Sequence, residues 1–472
     1  MTSWGNFDVK LIFFSDFAGR MGSRLKGKLR IKNWSGLYAV GYLLVGLGTT
    51  GFYRRFQMAG LENVPKGKPI LFAPNHQNAF IDGAILGYKL GKPIYFLGRS
   101  DVFKKRFARW LLGGFNCLPI YRERDGVDAV KMNNEVFDMF ADILQKKRPI
   151  VIFPEGNQEI DKRLRVPLKK GVFRIAIGAE RKYGEALDVH IVPVGIDYEK
   201  HTRMGGDLFI NFGPPIRILD HIGKDENEQN KIYNELVDDL ALRISDLMVD
   251  ISDQENYELI HTLIETFKDD ICEAENANLE NLHEVVQAQK AFIEKMGKRI
   301  QRDPEEAAQH REVAEGFMGD VKRAKLRSWL FEKERHSVFF HTLLLIAIFP
   351  LHVYGLINSY LPYKIPDALV NKKVKDEKFY ASIKVIAGAL LFYLFWILQT
   401  VLVASLTGNC WWVFYVISLP ISAWLSYSYW IQVLKLRGKL IYNKEIKKEN
   451  TNTLELRNRY LKLKAFYDSV YS

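Results

Sequence analysis

Cysteine is scarce in this chain of 472 residues. The three cysteines, Cys117, Cys272 and Cys410, are far apart and odd in number, so they fit neither a disulfide framework nor a zinc knuckle. Their scarcity favours a reducing compartment. Internal repeats and low-complexity tracts are also missing, and an apolar content of 48% excludes an intrinsically disordered protein.

Charge is absent from one long stretch of the chain. No charged residue occurs from Val385 to Leu434, and a membrane-spanning helix needs about 20 apolar residues. We therefore predict a hairpin of two transmembrane helices in this stretch. The uncharged segment 337–363 contains Pro350, and we expect it to be re-entrant or interfacial and kinked at that proline, with a third span as the alternative. We expect the glycine-rich stretch 33–53 to be an interfacial helix or a short anchor.

The charge that is present is unevenly distributed. The net charge is +12, yet residues 225–286 carry 18 acidic and 3 basic side chains, which leaves +27 on the rest of the chain. Basic residues flank both sides of the predicted hairpin, so the positive-inside rule places those flanks and the globular part on the cytoplasmic side. We expect a phospholipid membrane as partner and no nucleic acid, because no nucleic-acid-binding module is recognisable. The bacterial inner membrane is the preferred location, or the endoplasmic reticulum in a eukaryote.

The globular part shows strands alternating with helices. Longer helical segments such as 128–146 separate short apolar runs, and this alternation predicts an α/β domain with a mixed sheet covered by helices. The predicted strands are Ile70–Ala73, Ile94–Leu97, Cys117–Tyr121, Ile150–Phe153 and His190–Val194.

The predicted organisation has five parts, in which the α/β domain is followed by an α-helical segment and C-terminal transmembrane helices. Apolar residues recur every three or four positions from Ile232 to Ile251, which predicts an amphipathic helix with an acidic solvated face. The parts are a membrane-associated segment 1–56, the α/β domain 57–222, an acidic helical region 223–335, a hydrophobic membrane region 336–434 and a basic tail 435–472.

A histidine and an aspartate follow the first predicted strand. His76 and Asp82 are six positions apart, and a carboxylate bound to one ring nitrogen leaves the other nitrogen as a general base. The alternatives are a structural histidine and an aspartate that only caps the first turn of a helix. The predicted strand 117–121 is followed by Arg122-Glu123-Arg124. Two arginines at a strand end can bind a phosphate group, and the alternative is that they are simply exposed to solvent.

Two further strand ends and one glycine motif complete the candidates. Phe153-Pro154-Glu155-Gly156 follows a predicted strand. It is either a turn that contributes a carboxylate and backbone N–H groups to a site or an ordinary strand-to-loop transition. Val192-Pro193-Val194 lies in the last predicted strand. Without a role in a site, the proline indicates an edge strand of the sheet. Residues 46–51 match G-x-G-x-x-G, but the acid expected about 20 residues later is missing, so helix packing or bilayer contact explains these glycines better than a dinucleotide site.

Taken in order, with Pro167-Leu168-Lys169-Lys170-Gly171 downstream, these motifs resemble those of the phospholipid/glycerol acyltransferase superfamily. Two departures stand out. Five residues separate His76 and Asp82 where four are usual, and Asn157-Gln158 replaces the usual Thr-Arg. The longer spacing, Arg122-x-x-Asp125 and the C-terminal hairpin are most similar to the fungal-type glycerol-3-phosphate/dihydroxyacetone-phosphate acyltransferases and their bacterial relatives.

The resemblance implies a direct acyl transfer with His76 as general base and Asp82 as the group that orients it. An acceptor hydroxyl would attack an acyl thioester, either acyl-CoA or acyl-carrier protein, with no metal or cofactor. The acceptor would be glycerol 3-phosphate or dihydroxyacetone phosphate, the alternatives being lysophosphatidic acid or another lysolipid and, less favoured, a non-catalytic lipid-binding protein. The residues assigned to substrate binding are Arg122, Arg124, Lys105, Glu155, Gly156, Asn75 and Pro193.

Overall fold

The computed structural model of the chain describes residues 35–121 and 129–471. One sheet holds all the strands of this part, in the order β1-β7-β6-β2-β5-β3-β4, with β8 paired to β6. All five predicted strands are present, and three further strands, β1, β7 and β8, complete the sheet. The strands are β1 (Arg55–Ala59), β2 (Ile70–Pro74), β3 (Tyr95–Arg99), β4 (Cys117–Ile120), β5 (Ile150–Val151), β6 (His190–Tyr198), β7 (Asp207–Phe212) and β8 (Ile216–Arg217).

The sheet is mixed, as predicted. Strands β6, β2, β5, β3 and β4 are parallel, whereas β7 and β8 run antiparallel to β6. The carboxyl ends of the parallel strands therefore meet at one edge of the sheet. Strand β6 lies inside the sheet between β2 and β7, so the edge-strand interpretation of Pro193 is wrong. Pro193 pairs with Ala73, and its carbonyl accepts a hydrogen bond from the Gly213 N–H.

The helices cover both faces of this sheet and continue beyond it. In chain order they are α1 (Gly36–Phe52), α2 (Ala79–Leu90), α3 (Arg106–Gly114), α4 (Ala129–Gln145), α5 (Gly171–Lys182), α6 (Glu226–Leu247), α7 (Tyr257–Thr266), α8 (Lys268–Ala274), α9 (Leu282–Arg302), α10 (Pro304–Ala314), α11 (Phe317–Arg323), α12 (Phe339–Lys373), α13 (Tyr380–Thr407), α14 (Trp411–Lys447) and α15 (Thr451–Val470).

Alternation along the strands divides the core into two layers. On β2, Leu71 packs in the cluster formed with α4, α5 and α6, whereas Phe72 packs in the cluster formed with α1 and α2. Strand β5 repeats the pattern with Ile150 and Val151. Neighbouring residues of a strand point to opposite faces, and both faces are buried here, so the strands read as continuous apolar runs.

The acidic region divides into α6, which packs on the sheet, and a helical subdomain from Val249 onward with its own core. Asp225 is the N-cap residue of α6, and its side chain accepts a hydrogen bond from the Glu228 N–H. Its buried face includes Leu236, Leu240 and Ile244, which confirms the predicted amphipathic helix, although the helix ends at Leu247. The segment predicted as a basic tail instead folds into the end of α14 and into α15, which packs in the same core as α9.

Helices α12 and α13 form the apolar part of the chain with α14. The helical stretches Phe339–Lys373 and Glu377–Thr407 are long and apolar enough to cross a membrane. Helix α14 follows Gly408, which adopts φ +62°, and forms a helical hairpin with α13, but among the described helices only α12 and α13 are long and apolar enough to span, so the second predicted span is not among them. The turn between α13 and α14 thus lies within the uncharged stretch 385–434.

Helix α12 continues through Pro350, the position at which the sequence predicts a kink. At its start, the His336 N–H donates to the Asn443 side chain. Near its end, Asp367 pairs at 2.9 Å with Lys384, which donates to the Thr202 carbonyl of the globular part. Contacts with α14 and with the globular part thus flank the two ends of α12.

The glycines of the G-x-G-x-x-G match lie on α1 and make helix contacts. A Cβ added to Gly48 would lie 2.6 Å from the Val385 carbonyl oxygen of α13, and one added to Gly46 would lie 2.2 Å from the Tyr88 ring of α2. No atom lies within 4 Å of a Cβ added at Gly51. Close helix packing, and not nucleotide binding, therefore explains Gly46 and Gly48.

Alanine substitutions at Gly48 and Gly51 should have opposite effects on stability. We expect Gly48→Ala to lower the free energy of unfolding by about 1–3 kcal/mol, because the added carbon clashes with backbone. Gly51→Ala should raise it by up to about 1 kcal/mol through helix propensity. Thermal unfolding of the purified protein in detergent measures both, and equal shifts would contradict the packing of α1 on α13.

Candidate active site

His76 and Asp82 form a buried hydrogen-bonded pair at the carboxyl end of β2. The His76 Nδ1 lies 2.9 Å from the Asp82 Oδ2, and the Asp82 side chain is fully buried while that of His76 is 13% exposed. Phe153, at the end of β5, stacks on the His76 ring with 3.8 Å between ring centroids. Because Nδ1 is held by the carboxylate, Nε2 is the nitrogen left for proton transfer.

The turn between the two residues explains how five intervening residues still make a dyad. Asn78 is the N-cap residue of α2, and Asp82 lies in the first turn of that helix. The Asp82 Oδ2 accepts hydrogen bonds from the backbone N–H groups of Gln77 and Asn78 at 2.9 and 2.8 Å. The Asp82 carboxylate therefore contacts both the turn before the helix and the His76 ring, so its place in the first turn does not prevent it from pairing with His76.

Tyr198 also contacts the His76–Asp82 pair. Its hydroxyl donates a hydrogen bond of 2.6 Å to the Asp82 Oδ1, and its side chain is fully buried at the end of β6. Burial, together with the nearby Asp82 charge, raises the pKa of Tyr198 well above its usual value, so the hydroxyl stays a donor. Tyr198 thus fixes the carboxylate oxygen that does not face His76.

Asp197, the neighbour of Tyr198, faces the helical subdomain. Its carboxylate accepts a 2.8 Å hydrogen bond from the Val249 N–H and lies 3.4 Å from the Lys162 ammonium, and both charged side chains are buried. The Lys162 backbone N–H in turn donates a hydrogen bond to the Tyr257 hydroxyl of α7. Two consecutive residues of β6 therefore contact the dyad and the helical subdomain.

Glu155 holds the backbone of the dyad loop. Its carboxylate accepts hydrogen bonds from the His76 N–H at 2.6 Å and from the Arg165 N–H at 3.0 Å. The side chain is only 4% exposed. Burial raises the pKa of Glu155 to about 7, although the two N–H donors act in the opposite direction. In this geometry the Glu155 carboxylate fixes the position of the His76 backbone.

The structure also locates other residues assigned to substrate binding. The Asn75 amide exchanges two hydrogen bonds with the Ile196 backbone and is buried, so it joins β2 to β6, and a direct contact with an acceptor is not supported. Pro193 is buried in the middle of β6. Gly156 adopts φ +73° immediately after Glu155, a conformation that glycine accommodates readily.

Cations lie along the same edge of the sheet. Lys105 is exposed at the N-cap of α3, which follows β3. Arg122 and Arg124 fall outside the described residues. Lys169, which the sequence interpretation quoted but gave no role, has its side chain 3.4 Å from a Cβ placed on Gly156 and is exposed. The replacement of the usual Thr-Arg by Asn157-Gln158 therefore does not leave this edge without positive charge.

Three features of the site were missed by the sequence interpretation. The contact of Tyr198 with Asp82 joins residues 116 positions apart, and no local pattern signals it. The stacking of Phe153 on His76 has a weak signal, namely an aromatic residue directly before Pro154-Glu155-Gly156. Lys169 had a clearer one, because it lies in the downstream motif that carried part of the resemblance.

Fold and site together define an α/β domain with a hydrogen-bonded histidine–aspartate pair at the carboxyl edge of its sheet. Residues 55–197 match the Acyltransferase family model. The chain is 30% identical over 146 residues to glycerol-3-phosphate O-acyltransferase 1 of Saccharomyces cerevisiae, which covers 30% of this chain and 18% of the yeast protein. The chain therefore carries an acyltransferase domain of the phospholipid/glycerol acyltransferase superfamily, as the motifs indicated.

A second relative and one solved structure are also similar to parts of the chain. A 1-acyl-sn-glycerol-3-phosphate acyltransferase of Chlamydomonas reinhardtii is 28% identical over 147 residues, covering 31% of this chain and 39% of the algal protein. The crystal structure of the 1-acyl-sn-glycerophosphate acyltransferase PlsC from Thermotoga maritima has 20% sequence identity and a TM-score of 0.32, and the match covers 44% of this chain and 78% of that chain. The matched regions span less than half of either the yeast or the algal protein.

Removal of the Tyr198 hydroxyl should impair the dyad without unfolding the protein. We expect Tyr198→Phe to lower kcat about tenfold with little change in KM, because one hydrogen bond to the Asp82 carboxylate is lost, a cost of about 1.4 kcal/mol. Tyr233→Phe, on α6, is the matched control and should keep wild-type kinetics. An unchanged kcat in Tyr198→Phe would contradict a positioning role.

The stability contribution of Glu155 should depend on pH. Its pKa is raised from 4.5 to about 7, so the contribution of the neutral carboxyl is full below about pH 4.5 and is lost as the pH rises through about 7. Glu155→Gln cannot titrate, so the stability advantage of the wild type over this variant should shrink between pH 4.5 and 7. Thermal unfolding of both proteins across this range tests the prediction, and a constant difference would contradict it.

Proposed function

We propose that this chain is a membrane O-acyltransferase that moves a fatty acyl group from an acyl thioester to a hydroxyl of a small glycerol phosphate. The observation that carries the proposal is the buried His76–Asp82 pair, which leaves His76 Nε2 for an acceptor. The family of residues 55–197 and the apolar helices support the same conclusion.

The proposed reaction has one direct transfer step. His76 Nε2 takes the proton of the acceptor hydroxyl while the oxygen attacks the thioester carbonyl. The tetrahedral intermediate expels the thiolate, and the imidazolium returns the proton to it, so an ester and a thiol are formed. Asp82 stabilises the imidazolium and fixes the tautomer, and Tyr198 and the turn N–H groups hold the Asp82 carboxylate in place.

The preferred acceptor is glycerol 3-phosphate or dihydroxyacetone phosphate, with lysophosphatidic acid or another lysolipid as the second candidate. The yeast relative is named for the first type of acceptor and the algal relative for the second. The exposed Lys105 and Lys169 support a phosphate-bearing acceptor in either case, because an ammonium group pairs with phosphate. Acyl-CoA and acyl-carrier protein are the two candidate donors.

The proposed location of the site is the cytoplasmic side of a membrane. Lysines cluster at both flanks of the α13–α14 hairpin, and the tip between Thr407 and Trp411 has no charge. Under the positive-inside rule this pattern keeps the flanks and the attached globular part in the cytoplasm. The contacts that flank both ends of α12 agree with that topology.

Substitution of the dyad tests the proposal. We expect His76→Ala and Asp82→Asn to lower acyl transfer at least a hundredfold, because the general base or its orientation is lost. The assay supplies labelled acyl-CoA or acyl-carrier protein with glycerol 3-phosphate, dihydroxyacetone phosphate or lysophosphatidic acid in turn, using the protein in phospholipid vesicles. The acceptor that the wild type uses with the highest kcat/KM identifies the substrate.

His190→Ala is the matched control, since His190 lies at the opposite, amino end of β6 and its Nδ1 contacts only the Asp188 carbonyl among the described residues. It should retain wild-type transfer. Full transfer by His76→Ala would refute the proposed mechanism. Lipid binding by the wild type without turnover of any acceptor would instead support the non-catalytic alternative.

A further inference from the structure

A second surface with a defined chemistry lies on α3 and the turn before it. Three apolar side chains point outward there, with Val102, Phe107 and Trp110 exposed by 41%, 69% and 44%. The Phe107 and Trp110 rings are neighbours, 5.8 Å apart between centroids. Adjacent exposed aromatic groups mark an interaction surface rather than ordinary solvent exposure. We call these three residues the α3 apolar face.

A group of cations borders the α3 apolar face. Lys104, Lys105 and Arg106 are consecutive and exposed at the start of α3. In the described part of the chain none of their side chains makes an ion pair, and the first turn of α3 contains no acidic residue. The nearby Asp101 is bonded to Arg99 instead. Three cations beside the positive end of a helix repel one another, so an anion bound there would be stabilised.

The α3 apolar face adjoins the apolar helices of the chain. The Ser35 hydroxyl donates to the Gly114 carbonyl at 3.0 Å, and a Cβ on Gly114 would meet the Leu37 side chain of α1. Helix α1 exposes Val40 and packs through Gly48 on α13. Helix α1 therefore connects α3 to the apolar helix α13.

The position in the sheet connects this surface with the dyad. Strands β2, β5 and β3 are adjacent and parallel, so the residues that follow them emerge at one edge. His76 follows β2, Glu155 follows β5, and the turn into α3 follows β3. Whatever α3 contacts is consequently close to the mouth of the site.

We propose that the α3 apolar face inserts into the interfacial layer of an anionic phospholipid bilayer. The Phe107 and Trp110 rings lie at the boundary of headgroups and acyl chains, where aromatic residues are favoured, and the three cations contact lipid phosphates. This attachment is separate from the hydrophobic hairpin and holds the dyad at the membrane surface. It goes beyond the proposed acyl transfer and does not depend on that activity.

Spin-label accessibility of the full chain in vesicles tests the proposal. Cys410→Ser removes the exposed cysteine and leaves the buried Cys117 and Cys272. Phe107→Cys in this background carries the label, and Leu242→Cys on α6, which is 70% exposed, is the matched control. In vesicles of phosphatidylcholine and phosphatidylglycerol we expect the label at residue 107 to collide more with oxygen than with a water-soluble nickel chelate, and the control to show the reverse.

Other accessibility patterns overturn the proposal. A label at residue 107 that is as accessible to the nickel chelate as the control would show an aqueous surface. A label shielded from both reagents would show a surface covered by protein, such as a second copy of the chain. Neither readout needs turnover, so the proposal can fail while acyl transfer is intact, or hold while transfer is absent.

The attraction between the cations of α3 and the lipid phosphates is tested with the same labelled protein. In vesicles of phosphatidylcholine alone, we expect the label at residue 107 to shift toward the nickel-accessible side. Lys104→Glu with Arg106→Glu should cause the same shift in vesicles that contain phosphatidylglycerol, because the lipid phosphates lose their cations. An equal depth in all three conditions would contradict an anionic partner. Lys105 is left unchanged, because it is also a candidate for the acceptor phosphate.

Discussion

The hydrogen bonds received by the Asp82 carboxylate are the constraint on which the rest of the site depends. A buried carboxylate without donors costs several kcal/mol, and here each oxygen is bonded. The donors come from the His76 ring, from the turn before α2 and from Tyr198 at the end of β6. The shape of the turn, the start of the helix and the register of β6 against β2 must therefore all be correct before His76 is oriented.

The features of the fold that could be predicted from the sequence are local. Strands buried on both faces appear as short apolar runs, which is why β2 to β6 were found, and the uncharged hairpin is continuous along the chain. The dyad was also local, since His76 and Asp82 share one turn and one helix start. Strand β1 was not recognised, because Arg55 and Gln57 interrupt its apolar pattern and its partner β7 lies about 150 residues away.

The features that escaped prediction depend on contacts between distant segments. Tyr198 follows a motif that was recognised, yet its contact with Asp82 arises only when β6 pairs with β2. Asn75 adjoins the dyad and looked like a binding residue, but the same pairing uses its amide. The C-terminal helix α15 is basic and was taken for a tail, whereas its buried Leu463 and Tyr460 become apparent only beside the core of the helical subdomain.

The adjacency of Asp197 and Tyr198 connects the helical subdomain to the His76–Asp82 pair. Asp197 is held by Val249 of the helical subdomain and by Lys162, and the next residue holds Asp82. The folding free energy of those helices and the preorganisation of the dyad are thus thermodynamically linked through one peptide unit. An acyltransferase domain cut out at the end of the sheet would keep the motif residues and lose the support that positions them. We therefore expect the helical subdomain to act as a scaffold for the site, with cooperative unfolding that extends across the boundary drawn by composition.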